Sequence, residues 1–234
     1  MTDRPHVTAV MVSSLDGAVH ADGGSQGLST DADRVLFRSL RRAAEVVLVG
    51  AGTVRAENYR GIRPRRPSAD DPQPGPPPPV AVVTGSAGLD PASRLFTDTV
   101  AAPLVLTTAA APAARRDAIA AAGGEVVVLG DLSPATVLGA LAARGYRQVL
   151  CEGGPTLLGD LVAADAVDEL RLTLVPLLVG GPAARIAAGP DAVVPPHRMR
   201  LAGHEAAVDG TLLLRYLRDR PAGSVTTAVT PPNE

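Results

Sequence analysis

Short apolar runs alternating with alanine-rich stretches constrain this chain more than any other feature. The runs VTAVMVS, VVLVG, VAVVT, LVLTT, EVVVLG, RQVLC and DELRLTLV each read as a buried strand. Between them lie DADRVLFRSLRRA, APAARRDAIAAAG, SPATVLGALAARG and GPTLLGDLVAADA, whose spacing predicts helices. Strands that alternate with helices cross over to parallel neighbours, so the pattern predicts an α/β fold with a mostly parallel sheet and helices on its faces. The punctuation agrees. Asp31 is placed to cap the first helix, Ser133 followed by Pro134 opens the third, and Gly123 and Gly145 sit where helix ends call for a left-handed residue. The stretch RMRLAGHEAAVDGTLLLRYLRDR departs from the pattern. It reads as two strands joined through an Asp-Gly turn, an antiparallel hairpin closing one edge, so the sheet is expected to be mixed.

A chain of 234 residues with 46% apolar content can fill one substantial core, and residues 1–218 are expected to form one domain. RPRRPSADDPQPGPPPP, residues 63–79, is too rich in proline to pack and is expected to be an exposed loop. From Asp219 to Glu234 apolar periodicity is lost, and a disordered tail is expected. With 22 basic and 24 acidic residues and a net charge of −2, the chain lacks the footprint of a nucleic-acid or anionic-membrane binder. No apolar run is long enough to span a bilayer and the first residues do not resemble a secretion signal, so a cytoplasmic location is expected. One cysteine, Cys151, excludes an internal disulfide and any cysteine-rich zinc site. His6, His20, His197 and His204 show no metal-ligand spacing, and no metal is expected.

In an open α/β sheet, ligands bind beyond the carboxyl ends of the strands. Three such ends are lined by glycine. CEGGPTLLGDL places Glu152, Gly153 and Gly154 between a strand and a helix whose first residue is Pro155, a junction suited to a phosphate because free N–H groups and the helix dipole meet there. VVLVGAGTVRAENYR carries Gly50, Gly52, Thr53, Arg55, Glu57 and Asn58, and VVTGSAGLD carries Thr84 and Ser86. Each taken alone is compatible with a plain strand-to-helix turn. Together they suit an extended, phosphate-bearing ligand. The first strand ends in SSLDG, which brings Ser14 and Asp16 out at the same edge, with Ser25 following. Arg41 on the first helix, and Arg60, Arg63, Arg65 and Arg66 in the loop, are candidates for a second anion.

SSLDG, GGSQGLST, LRRAAEVVLVGAGTVRAEN, VVTGS and CEGGPTLLGDLVAADAVDELRLTLVPLLVGG, taken in that order, resemble the reductase half of bacterial riboflavin biosynthesis, the pyrimidine reductase family. The resemblance runs from about Thr8 to Leu217. It implies the dihydrofolate reductase-like fold. It also implies an NADPH-dependent oxidoreductase that reduces 5-amino-6-(5-phosphoribosylamino)uracil to its ribitylamino form by hydride transfer, commonly as a homodimer. Carried over position by position, it makes Ser25 and Arg41 contacts of the substrate's ribose phosphate, with Arg63 a helper from the loop and Glu152 facing the substrate. The cofactor positions are Val12 by its backbone, Thr53, Glu57, Thr84, Gly153, Gly154, Pro155, Thr156, Leu157, Leu158, Gly159 and Asp160. The proton that accompanies hydride stays open among Asp16, Glu152 and water. Thr84, Ser86 and Arg55 are the candidates for a 2′-phosphate site.

Departures from the family pattern bear on substrate more than on fold. Members that also deaminate carry a zinc module ahead of this domain, and neither the length nor the single cysteine accommodates one here. Those proteins tend to have lysine where this chain has Val10, tryptophan where it has Gly27, and Asp-Asp-Pro where it has Glu57-Asn58-Tyr59. A second reading is therefore a reductase of the same fold acting on dihydrofolate or another small carbonyl or imine. A third is a nucleotide-binding regulator without turnover, against which the presence of both Arg41 and Glu152 weighs.

Overall fold

Seven parallel strands appear where the apolar runs predict them. In this computed structural model, which describes residues 4–21, 24–64, 75–189 and 192–220, they are β1 (His6–Ser14), β2 (Val46–Gly50), β3 (Val80–Val83), β4 (Leu104–Thr108), β5 (Glu125–Leu129), β6 (Gln148–Cys151) and β7 (Glu169–Val175). The hairpin strands are β8 (Met199–Ala206) and β9 (Leu212–Arg218). All nine form one sheet in the order β5-β4-β3-β2-β6-β1-β7-β9-β8, parallel as far as β7 and antiparallel beyond it. The hairpin thus closes one edge as expected, but its second strand lies inside its first. Hairpin pairing alone leaves that order open; the antiparallel pairing of β9 with β7 decides it.

Helices cover both faces: α1 (Asp31–Ala43), α2 (Ala51–Ala56), α3 (Arg94–Thr97), α4 (Ala113–Ala121), α5 (Pro134–Ala143) and α6 (Pro155–Ala163). Strand β2 shows why its run is apolar throughout. Val46 and Leu48 pack on the side of α5 and α6, with Leu138, Leu141, Leu158 and Leu161, while Val47 and Val49 pack on the other side with Leu95, Phe96 and Ile119. Both faces exclude water, so there is no polar alternation. Each fully buried leucine contributes about 1.5–3 kcal/mol through removal of its surface from water.

Local signals account for most element ends. Ser133 accepts the Thr136 N–H ahead of Pro134, and Gly123 and Gly145 have φ of +87° and +89°. The α1 cap is Thr30, not Asp31: the Thr30 hydroxyl accepts the Asp33 N–H at 3.3 Å, and Asp31 and Asp33 sit in the first turn, where the helix dipole favours them. Two short elements carried no sequence signal, α3 and a 3-10 turn at Ser25–Leu28. Residues 65–74 of the proline-rich loop lie outside the described residues, as do residues 221–234 of the tail. The first two tail residues find partners on the body: the Asp219 N–H donates to the Arg198 carbonyl at 3.0 Å and Arg220 bonds Asp168 at 2.6 Å.

Candidate active site

At the carboxyl ends of β1, β2 and β6 lies a cleft of about 620 Å3, walled on one side by α1 and the 3-10 turn. Its floor is set by β6. Glu152 continues the strand ladder by one residue, its N–H donating to the Leu48 carbonyl at 3.0 Å. The chain then turns sharply at Gly153, which has φ of +80° and accepts the Gly50 N–H at 2.8 Å. A left-handed residue pressed against Met11 leaves room only for glycine there.

The Glu152 side chain is 2% exposed, and a buried carboxylate needs partners. Arg41 supplies a two-pronged one, Nε to Oε1 at 2.7 Å and Nη2 to Oε2 at 2.6 Å. Tyr59 donates its hydroxyl to the same Oε2 and accepts from Arg41 Nη2 at 2.8 Å. The guanidinium lies 4.3 Å from the Phe37 ring centroid and 5.5 Å from that of Tyr59, a cation–π arrangement that favours its charged form. Burial works against the Arg41 charge, but the charge and hydrogen bonds of Glu152 outweigh it and its pKa is raised. Burial and then the Glu152 charge push the Tyr59 phenol well above its ordinary value, so it stays protonated. Cys151, one residue earlier, is buried and pushed up to about 12, chiefly by burial, which leaves an inert thiol.

The junction that opens α6 is suited to a phosphate group. The helix begins at Pro155, its cap residue Gly154 offers no side-chain bond, and the first-turn N–H groups of Thr156 and Leu157 have no intrahelical partner. A Cβ at Gly154 would stand 2.5 Å from the Thr53 hydroxyl, so the glycine keeps a close approach open between α2 and α6. These are the features a pyrophosphate needs: free amides, the positive end of a helix dipole, and no side chain in the way.

Of the residues expected in a site, Val12, Ser25, Arg41, Thr53, Glu57, Asn58, Arg60, Glu152, Gly154 and Pro155 line this cleft. Glu57 accepts the Ser25 N–H at 3.0 Å and so fixes the 3-10 turn. Others are elsewhere. Asp16, weighed as a proton source, is a loop anchor outside the lining: it accepts the Ser14 hydroxyl and the N–H groups of Gly180 at 2.6 Å and Val179 at 3.2 Å. The Ser14 bond, then Gly180 and Val179, lower its pKa to about 2. Arg63, expected to help with phosphate, is drawn away to Asp98 at 3.0 Å. Leu158 is core, Leu157 packs against it, Gly159 abuts the Ala188 carbonyl, and Thr156 and Asp160 are exposed. Thr84 is buried past β3 and ties back to Leu106 by its N–H at 3.0 Å. Arg65 and Arg66 lie outside the described residues.

Sequence reading missed His20, Gln26, Asp33, Arg34, Phe37 and Arg38 as lining residues and Tyr59 as a partner of Glu152. The α1 residues carried a usable signal, since positions 34, 37, 38 and 41 share one helical face. Tyr59 carried none beyond being one of the departures from the family pattern noted in the sequence. At Gly27, another of those departures, a Cβ would meet the Ala21 carbonyl oxygen at 2.6 Å, so this backbone leaves no space for a side chain.

Comparison with known proteins agrees with this architecture. The model of the RibD C-terminal domain family matches residues 5–213. The 2,5-diamino-6-ribosylamino-4(3H)-pyrimidinone 5′-phosphate reductase of Methanothermobacter thermautotrophicus is 32% identical over 186 residues, covering 78% of this chain and 82% of that protein. RibD of Mycobacterium tuberculosis is 31% identical over 182 residues, 77% of this chain but 45% of the relative, so the chain spans about half the length of such RibD proteins. Among solved structures, a pyrimidine reductase-like protein from Corynebacterium diphtheriae superposes with a TM-score of 0.78 at 24% identity, covering 93% of each chain. Dihydrofolate reductase of Enterococcus faecalis superposes at 0.52 with 13% identity over 92% of this chain and 97% of its own, a likeness of fold alone. The sheet order, the glycine-lined junction and the family match agree: the chain belongs to the RibD C-terminal domain family and has the dihydrofolate reductase-like fold.

Proposed function

We propose that this protein is an NADPH-dependent reductase that converts the ribosylamino group of 5-amino-6-(5-phosphoribosylamino)uracil to the ribitylamino form. The observation that carries the reading is the convergence, on one cleft, of the uncapped α6 start with the buried Arg41–Glu152–Tyr59 cluster. The archaeal relatives are named as reductases of 2,5-diamino-6-ribosylamino-4(3H)-pyrimidinone 5′-phosphate, which supports reduction of a ribosylaminopyrimidine phosphate; the choice of the uracil form rests on the resemblance read in the sequence.

NADPH supplies hydride from its nicotinamide. The rest of the task falls to the chain's own groups, and it is mostly positioning, which in well-oriented cases supplies about 7–11 kcal/mol of a barrier. The amides of Thr156 and Leu157 and the Thr53 hydroxyl hold the pyrophosphate. Beyond β3, Arg55 reaches the Gly88 carbonyl at 3.0 Å and Arg115 the Ser86 carbonyl at 3.2 Å, and these two cations with the Ser86 hydroxyl receive the 2′-phosphate that separates NADPH from NADH. Val12 closes the floor of the cleft with its backbone. Ser25 and Arg41 meet the phosphate end of the substrate; Arg41 does so through Nη1, because Glu152 and Tyr59 occupy its other nitrogens. Both Glu152 oxygens are bonded and Asp16 is held outside the cleft, so in this reading the proton comes from a water molecule admitted at the mouth.

A homodimer belongs to the same proposal. By register, Leu172 and Leu214, Leu174 and Leu212, and Tyr216 and Leu201 are neighbours on one face of β7, β9 and β8. They are only half-buried, and Leu201 is 47% exposed. A second copy would cover them.

The test is turnover of the pyrimidine phosphate by the purified protein, followed as loss of NADPH absorbance, with dihydrofolate run alongside. Consumption with the pyrimidine and not with dihydrofolate is expected. Consumption with dihydrofolate alone would favour the second reading, and NADPH binding without consumption of either compound the third.

A further inference from the structure

Arg34, Arg38 and Arg41 occupy positions i, i+4 and i+7 of α1, share one face of the helix, and all line the cleft. Their circumstances differ. Arg41 is committed to Glu152 and Tyr59. Arg34 lies 3.0 Å from Asp31 in an exposed pair of the kind that contributes little. Arg38 has no hydrogen bond or ion pair to any described residue and projects from the exposed part of the same face. Across the cleft, Arg94 is held by Asp98 at 2.9 Å and Arg60 stands 3.9 Å from it.

The lining therefore carries five arginines against three carboxylates, and each carboxylate is already bonded within the protein. Asp33 accepts the Thr173 hydroxyl at 2.6 Å and that of Ser29 at 2.9 Å, Glu57 accepts the Ser25 N–H, and Glu152 is taken as described. A guanidinium fork on the cleft wall with no partner among the described residues suits an external anion, since its parallel N–H groups fit two oxygens of one phosphate.

We propose that Arg38, flanked by Arg34, forms an anion subsite on the α1 wall that takes a phosphate monoester dianion, the role sequence reading assigned to Arg63. The subsite belongs to the cleft described above and depends on that reading for the pyrimidine but not for the phosphate. The same dianion occurs on the substrate's ribose and at the 2′-position of NADPH; the proposal commits to the first.

Titration calorimetry of the full chain with D-ribose 5-phosphate at low ionic strength, where screening is least, tests this directly. Arg38→Gln, an exposed substitution, should weaken binding about tenfold or more, the scale of losing a charge-assisted hydrogen-bonded pair. Arg42→Gln, on the same helix but outside the cleft lining, should leave it unchanged. Equal binding by Arg38→Gln, an equal loss in Arg42→Gln, no binding by the unaltered protein, or equally good binding of unphosphorylated ribose would each overturn the subsite. NADPH and NADH titrated into Arg38→Gln separate the two sources: a loss confined to NADPH would move Arg38 to the cofactor and overturn the proposal. An Arg38-dependent ribose phosphate site in a protein that fails to turn over the pyrimidine would leave the subsite standing and remove only the substrate.

Discussion

The ends of β6 and β1 look alike in sequence and behave oppositely in the fold. Each delivers an acid followed by glycine at the same edge of the sheet, Glu152-Gly153 from one strand and Asp16-Gly17 from its neighbour. Glu152 leaves its strand still bonded to β2, which keeps it inside the cleft, where burial obliges it to take Arg41 and Tyr59 as partners. Asp16 lies two residues past the end of β1, in a turn, and spends its oxygens on the backbone of the loop after β7. Of these two acids, the one that lines the cleft is the one the backbone ladder still holds. One residue of extra pairing separates a cleft floor from a surface latch.

Four measurements press on this contrast. The largest effect belongs to Glu152→Gln, which leaves the Arg41 charge without its counterion and should cost about 3 kcal/mol in urea unfolding. The double variant Arg41→Gln, Glu152→Gln should recover part of that loss, and strict additivity would show the pair to be uncoupled. Next is Gly154→Ala, whose Cβ would press on the Thr53 hydroxyl. It should destabilise by about 1–3 kcal/mol and raise the KM for NADPH, while Thr53→Ala in the same chain should restore stability more than KM. Unchanged KM would detach the α6 start from the cofactor. Tyr59→Phe removes one hydroxyl shared by Arg41 and Glu152 and should cost about 1–1.5 kcal/mol in the same unfolding assay. A null result would make the phenol a spectator.

Asp16→Asn should be the mildest, and its signature is in pH. The folded Asp16 titrates near 2 rather than 3.8, so the stability its charge confers is full above the unfolded value and fades as pH falls from 3.8 toward 2. The difference in melting temperature between the parent and Asp16→Asn should therefore be present at neutral pH and shrink across that window, with kcat unchanged. A drop in kcat at unchanged stability would return Asp16 to the catalytic group.

Much of the fold was legible because local chemistry and tertiary demand coincide. The bounds of α1, β2 and β4 follow directly from apolar periodicity, and the junction at Gly153 and Gly154 from glycines that suit a tight turn or a close approach. Tyr59 was not legible, because its meaning depends on Glu152, ninety-three positions away, and on burial that neither residue announces. Nor was the fate of Arg63, which looks like a phosphate ligand until Asp98 is found beside it.

By itself the sequence determined the alternation of strands and helices, the parallel sheet with its antiparallel edge, and the glycine-lined junction before α6, since each rests on periodicity or on backbone freedom within a few residues. Only the tertiary structure decided that β9 lies inside β8, that Asp16 faces away while Glu152 faces in, and which arginines are already paired. Those outcomes depend on which distant groups meet where water is excluded, and no local pattern encodes the meeting.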